Sequence, residues 1–415
     1  MNLIRDICKA AKKAANSFTQ VSEEQKNKIL LLIKDEIKKH KDQIMSYNQR
    51  DIQAAKKNGK NTAFIDRLTM TPERIAVMCD GLEAVAMLKD PVGEVEESYT
   101  LKNGLQVSKV RSPLGVVGII YEARPNVTVD AAALCIKSSN AVILRGSKDA
   151  MTTNAYLVEL MKGVLKRNGF DSNLIGFIDG ESRERTKEFL RQGDYVDVII
   201  PRGGEALKKF VLEWATMPVI ASAGGNCHNY VESSADFDMA KTVIINAKLN
   251  RPSVCNALET LLCDRKIAKE FLPHCLSELK KLGVEIRGDK EVKQIFEDTI
   301  EVEESEFYKE YNDKIIKVKI VSGIDEAIEH INTYGTNHSE AILTKDMALA
   351  KRFTREVDSA AVYVNASTRF TDGFELGLGA EMGISTQKLH VRGPIGIKEL
   401  TSLKFVISGN GQIRT

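Results

Sequence analysis

At 415 residues the chain is long enough for two or three domains with real apolar cores, and its 59 Lys+Arg against 57 Asp+Glu leave a net charge of +2. That balance excludes a dedicated nucleic-acid binder. Seven cysteines, an odd number without framework spacing, argue against a disulfide scaffold and for a reducing, cytoplasmic setting. No Cys/His grouping has zinc spacing, so no metal is expected. No apolar run reaches the ~18 residues needed to cross a membrane, and no secretory signal is expected.

The first hundred residues read as helices. Leu3, Ile4, Ile7, Cys8, Ala11, Ala14 and Ala15 form a stripe of helical period with lysines opposite. Ser22 followed by Gln25 reads as a capping box ahead of Ile29, Leu30, Ile33 and Ile37. Thr71-Pro72-Glu73 marks another start, and the run through Ile75, Met78, Leu82 and Val85 ends before Asp90-Pro91. The alternating stretch Tyr99–Val107 then centres on Asn103-Gly104, a strong hairpin signal. A hairpin over 98–112 needs a strand to pair with. Leu403–Ile407 offers one, and another sheet, in a partner subunit for example, is the alternative.

From Gly115 short β-branched runs at 116–121, 141–144, 175–178, 196–200 and 219–221 alternate with helical segments. This predicts a mostly parallel sheet whose ligands lie outside the carboxyl ends of its strands. Beyond Asp236, helices are expected over 237–247, 264–282 and 324–334, and strands over 318–322, 341–343 and 361–364. The acidic segment 301–313 reads as a surface excursion. The glycine-rich segment 365–396 reads as a functional loop.

The candidate nucleophile is Cys255. Pro252 suits the first turn of a helix, and Ala257, Leu258, Leu261 and Leu262 follow at helical spacing. Cys255 is therefore expected at a helix N-terminus, where unpaired N–H groups and the dipole favour the thiolate. A buried structural cysteine is the alternative. No good GxGxxG is present, since the glycines of Gly377–Gly383 are off by one. Two other turns suit a dinucleotide better. Gly203 and Gly204 lead from a strand into a helix whose N–H groups would face a pyrophosphate. Arg145, Ser147 and Lys148 follow a strand end and offer cations to a ribose or 2′-phosphate.

The stretches Ser112–Thr128, Arg251–Asn256 and Val362–Gly373 resemble the γ-glutamyl phosphate reductases of the aldehyde dehydrogenase superfamily, over essentially the whole chain. The resemblance implies an aldehyde dehydrogenase-like α/β fold, with two doubly wound, mostly parallel α/β domains and a small β oligomerisation arm. An NADP-binding domain would take 1–97 and 113–225 with a return segment at about 381–400. A catalytic domain would take 226–380, and the arm 98–112 and 401–415. The implied reaction is NADPH-dependent reduction of L-glutamate 5-phosphate to L-glutamate 5-semialdehyde and phosphate, the second step of proline biosynthesis. Cys255 would form a thioester, with its backbone N–H and Asn126 meeting the oxyanion.

Two departures from other members of the superfamily bear on this. A lysine stands at position 148, where many NAD-using relatives have a glutamate, which favours NADP(H). Oxidising relatives place a glutamate before a Gly-Gly pair to activate water; Ala221-Ser222-Ala223-Gly224-Gly225 has no carboxylate there. Oxidation of a small amino-acid semialdehyde is thus the second reading. In the loop, Arg369 is expected to meet a carboxylate or phosphate and Asp372 an ammonium, with Ser367 and Thr368 alongside. His228 is either an acid near the site or a structural histidine, and with Cys255 it frames a thiol-hydrolase alternative. A homodimer or homotetramer is expected, with a glutamate 5-kinase as a further candidate partner.

Overall fold

The computed structural model describes residues 3–180, 182–222 and 224–414. The chain divides into two compact units. The first comprises Met1–Ser222, Gly377–Gly383 and Ile395–Thr415, and the second Ala223–Leu376 and Ile384–Pro394.

In the first unit the helix Leu3–Phe18 buries Ile4, Cys8, Ala11, Ala14, Ala15 and Phe18, while Leu3 at its end is exposed. The capping box forms as the sequence suggests: Gln25 N donates to Ser22 Oγ at 3.3 Å and Ser22 N to Gln25 Oε1 at 3.1 Å. The helix it opens, Glu23–Lys39, buries Ile29, Leu30, Ile33 and Ile37, each such side chain contributing about 1.5–3 kcal/mol. Thr71 caps Pro72–Met87 in the same way.

Six strands follow: β1 (Val95–Thr100), β2 (Gln106–Pro113), β3 (Val116–Tyr121), β4 (Ala141–Arg145), β5 (Ile175–Phe177) and β6 (Val198–Arg202). The last four make a parallel sheet in the order β5-β4-β3-β6. The run 219–221 does not become a strand; it contributes one isolated bridge, Val219 to Ile199. The hairpin β1–β2 turns at Asn103-Gly104, where Gly104 takes φ 84°. Its partner is the C-terminal strand Thr401–Ser408 of the same chain, antiparallel to β2 from Thr401↔Pro113 to Ser408↔Gln106.

The second unit holds β7 (Cys227–Val231), β8 (Leu258–Asp264), β9 (Glu285–Gly288), β10 (Ile300–Glu301), β11 (Ile315–Val321), β12 (Ser339–Leu343) and β13 (Ala361–Val364). They form one parallel sheet, ordered β10-β9-β11-β8-β7-β12-β13. The helices Phe237–Leu249, Ala268–Lys281 and Ile324–Tyr334 agree closely with expectation.

One expectation fails here. The residues after Cys255 are the central strand β8, not a helix. All seven of its residues are buried: Leu261 and Cys263 join one apolar cluster and Leu262 another. A strand covered on both faces reads as a continuous apolar run and loses its period of two, so a chance helical spacing carried the reading. Glu259 in this strand is neutralised by Lys248 at 3.0 Å. The segment 301–313 lies mostly at the surface, as expected, and is anchored from within. Phe307 is buried, its carbonyl accepts from Asn226 Nδ2 at 2.7 Å, and Tyr311 N donates to Glu259 Oε2 at 3.0 Å.

Candidate active site

Among the described residues six of the seven cysteines are buried, and Cys255 is half-exposed. Burial pushes the thiols of Cys8 and Cys275 up to about 12 and raises those of Cys79, Cys135, Cys227 and Cys263. Protonated and enclosed, those six are poor nucleophiles.

Cys255 lies in the turn 251–257, between the carboxyl end of Phe237–Leu249 and the amino end of β8. No helix starts there, so the dipole expected to favour its thiolate is absent. The Arg369 side chain bonds to both sides of the turn. Arg369 donates from Nη1 to Asn256 Oδ1 and from Nε to Asn250 Oδ1 at 3.1 Å. Burial lowers the Arg369 pKa, Asp372 opposes that, and negative charge on Cys255 acts in the same sense as Asp372. Arg251, a second cation, acts in the opposite sense.

Asn256 also donates from Nδ2 to the carbonyls of Arg369 at 3.2 Å and Thr371 at 2.9 Å, and its own carbonyl accepts from Thr368 Oγ1 at 2.7 Å. From below, Cys227 Sγ donates to the Cys255 carbonyl at 3.2 Å. A hydroxyl chain then links Ser339 Oγ to Thr371 Oγ1 at 2.7 Å and Thr371 Oγ1 to the Tyr363 hydroxyl at 2.8 Å. Cys227 and Ser339 open β7 and β12, as Leu258 opens β8, so Cys255 lies at the amino edge of its sheet.

The remaining loop residues divide by burial. Thr368 and Ser367 are buried; Thr368 braces Asn256, and Ser367 Oγ accepts from Arg369 N at 3.3 Å. Both hydroxyls thus bond within the site's own framework. Asp372 Oδ1 accepts from Phe374 N at 3.0 Å, which makes it a turn cap. His228 is buried and paired with Glu340, whose Oε2 accepts its backbone N–H at 2.6 Å and lies 3.2 Å from Nδ1. Burial pushes His228 down to about 3 and Glu340 well above the carboxylate range. Among the two readings of His228, this is the structural one.

Ala223 lies outside the described residues. The neighbouring Gly225 N donates to Glu310 Oε1 at 2.7 Å. A carboxylate thus reaches the Gly-Gly pair from the 301–313 segment, which the local sequence did not reveal.

In the first unit the expected cofactor residues gather along the carboxyl edge of β5-β4-β3-β6. Arg145 donates to the carbonyls of Gly146 at 3.3 Å and Gly180 at 3.4 Å, and its buried Nε has no partner among the described residues. Ser147 Oγ caps the next turn, accepting from Asp149 N at 3.2 Å, and Lys148 is exposed. Gly204 N does not face open space for a pyrophosphate: it donates to Glu122 Oε1 at 2.9 Å, and a Cβ on Gly203 would stand 2.6 Å from that oxygen. Asn126 begins the helix Asn126–Lys137, is exposed, and donates from Nδ2 to Asp130 Oδ2 at 3.0 Å. Burial raises Asp130 to about 6.

Residues 2–295 match the model of the aldehyde dehydrogenase family. The γ-glutamyl phosphate reductase of Carboxydothermus hydrogenoformans is 53% identical over 414 residues, covering 100% of both chains. The crystal structure of γ-glutamyl phosphate reductase from Thermotoga maritima superposes with a TM-score of 0.97 at 44% identity, covering 99% of this chain and 100% of that one. The chain belongs to the γ-glutamyl phosphate reductase family. It is an oxidoreductase with the aldehyde dehydrogenase-like α/β fold. That fold extends further: an acetylating aldehyde dehydrogenase from Geobacillus thermoglucosidasius, only 18% identical, still aligns with a TM-score of 0.70. For a γ-glutamyl phosphate reductase-family chain, sequence reasoning overlooked Asn256, although it directly follows the nucleophile, and Glu310, which no local motif marks.

Proposed function

We propose that the chain reduces L-glutamate 5-phosphate to L-glutamate 5-semialdehyde and phosphate with NADPH, through a thioester on Cys255, as the second step of proline biosynthesis. The observation that carries this is the single half-exposed cysteine, set in a turn that Arg369 bridges from Asn250 to Asn256.

The Cys255 thiolate attacks the γ-acyl carbon; a C–S bond forms, the acyl C–O bond breaks and phosphate leaves. The backbone N–H of Cys255 meets the developing oxyanion. Asn126 is proposed as the second donor, since its carboxamide carries one N–H beyond that given to Asp130. NADPH, when bound, supplies the hydride that reduces the acyl group. Breakage of the C–S bond then releases the aldehyde and restores the thiolate. Arg369 is proposed to meet the α-carboxylate or the phosphate, and Asp372 the α-ammonium, with the buried Ser367 and Thr368 holding the loop that carries them.

Arg145, Ser147 and Lys148 are proposed to hold the NADP(H) ribose and 2′-phosphate. The unpartnered Arg145 Nε and the exposed Lys148 cation fit an anionic ligand at a carboxyl strand edge. For Gly203 and Gly204 the fit requires Glu122 to move aside. On the same reading 1–97 and 113–225 with about 381–400 bind the cofactor, and 226–380 carry the chemistry. The arm, 98–112 and 401–415, would join subunits through the exposed Leu403, Phe405 and Ile407. A homo-oligomer and a glutamate 5-kinase are the proposed protein partners.

Glu310 beside Gly225 favours one second reading, a hydrolytic oxidation of the semialdehyde with that carboxylate as base. Absorbance at 340 nm separates the two. Reduction of NADP by glutamate 5-semialdehyde should require inorganic phosphate and vanish in Cys255→Ala. Phosphate-independent reduction would favour the second reading.

A further inference from the structure

The turn that presents Cys255 is closed by one residue from a distant part of the chain. Asn250 precedes the nucleophile by five positions and Asn256 follows it directly. The Arg369 guanidinium bonds to both side-chain oxygens, spanning the turn from one side to the other. The guanidinium itself is held by Asn256. Its Oδ1 receives Nη1, while its Nδ2 grips the carbonyls of Arg369 and Thr371, so one carboxamide fixes both the head and the backbone of the arginine. Asn256 is 3% exposed, so these bonds form away from competing water and are expensive to leave unmade. A carboxamide is needed for this. An aspartate keeps the acceptor for Arg369 but turns an oxygen toward two carbonyls, and an alanine loses every side-chain bond.

We propose that Asn256 is a positioning residue, which holds the Arg369 cation beside Cys255 and so keeps the nucleophile in its reactive, anionic form. It replaces the helix dipole that this turn lacks. Asn256 touches neither substrate nor cofactor; it acts through Arg369. The proposal rests on the reading of Cys255 as the nucleophile, which the Cys255→Ala assay tests separately.

The test is alkylation of the full-length enzyme by iodoacetamide without substrate, followed at Cys255 by peptide mass spectrometry from about pH 6 to pH 10. Asn256→Ala should slow Cys255 modification about tenfold at neutral pH, and the deficit should close at high pH, where any thiol ionises. Arg369→Ala should do the same, and the double variant should lose no more than either alone, because both changes remove one interaction. Asn256→Asp, the second variant if alanine destabilises the chain, should also slow modification at neutral pH, whereas Arg369→Lys should retain part of the rate. Melting temperatures identify any variant that has lost its fold. Profiles of folded Asn256→Ala or Asn256→Asp that superimpose on the parent overturn the proposal, as do losses that add in the double variant. If Cys255→Ala abolishes turnover in that case, the nucleophile reading stands and only the role of Asn256 fails.

Discussion

Gly225 packs its Cα against the carbonyl oxygen of Cys255, so closely that a Cβ there would overlap the Cys255 backbone. The turn that carries Cys255 is therefore built on a glycine, and any side chain at 225 must push the turn away. Gly225→Ala should lower kcat by about a hundredfold or more, since displacement of a reacting group by about 1 Å costs that much. The measurement is steady-state turnover beside a melting curve. A folded Gly225→Ala enzyme of normal kcat would show that the turn can shift without consequence.

Arg369 carries a second prediction. On the proposed reading its removal takes away a charge that faces both Cys255 and the incoming anion. Arg369→Ala should raise KM or lower kcat at least about tenfold, about 1.4 kcal/mol of transition-state stabilisation. Unchanged constants would remove Arg369 from the site.

Cofactor choice gives the third. Lys148→Glu should turn an attraction for a 2′-phosphate into repulsion while offering an acceptor to ribose hydroxyls. The ratio of kcat/KM for NADP over NAD should fall by about tenfold or more. An unchanged ratio would place 2′-phosphate recognition elsewhere.

Stability against pH follows from buried histidines, His228 described above and two more. Burial pushes His338 down to about 4, where its ring lies 2.8 Å from Ser339 Oγ, and His330 down to about 2. Below the unfolded value of about 6.5 the unfolded chain takes up protons that the folded chain refuses. Their contribution is therefore complete above about pH 6.5 and declines as pH falls toward 4 for His338 and further for His330. Each histidine adds a slope of about 1.4 kcal/mol per pH unit in its window. Urea midpoints at about pH 7 and pH 5 measure it. His330→Phe should flatten the dependence; an unaltered slope would mean that other groups set it.

Much of this architecture is legible in the sequence because local signals agree with the fold. The Ser22/Gln25 box, the Thr71 cap, the Asn103-Gly104 turn and the runs at 116–121 and 361–364 all appear where their chemistry puts them. The failures share a cause, which is tertiary context. β8 is covered on both faces, so its pattern carries no period. Cys255 is singled out by an expected helix start that does not form: it lies in a turn before β8, which the remote Arg369 bonds to at Asn250.

The central claim is that the acyl group resides on Cys255 during turnover. The direct measurement is mass spectrometry of enzyme quenched in acid after incubation with glutamate 5-semialdehyde and NADP in the absence of phosphate. A glutamyl adduct on the peptide containing Cys255, discharged when phosphate is added before the quench, is the predicted result. An adduct on another side chain, or undiminished turnover in Cys255→Ala, would contradict it.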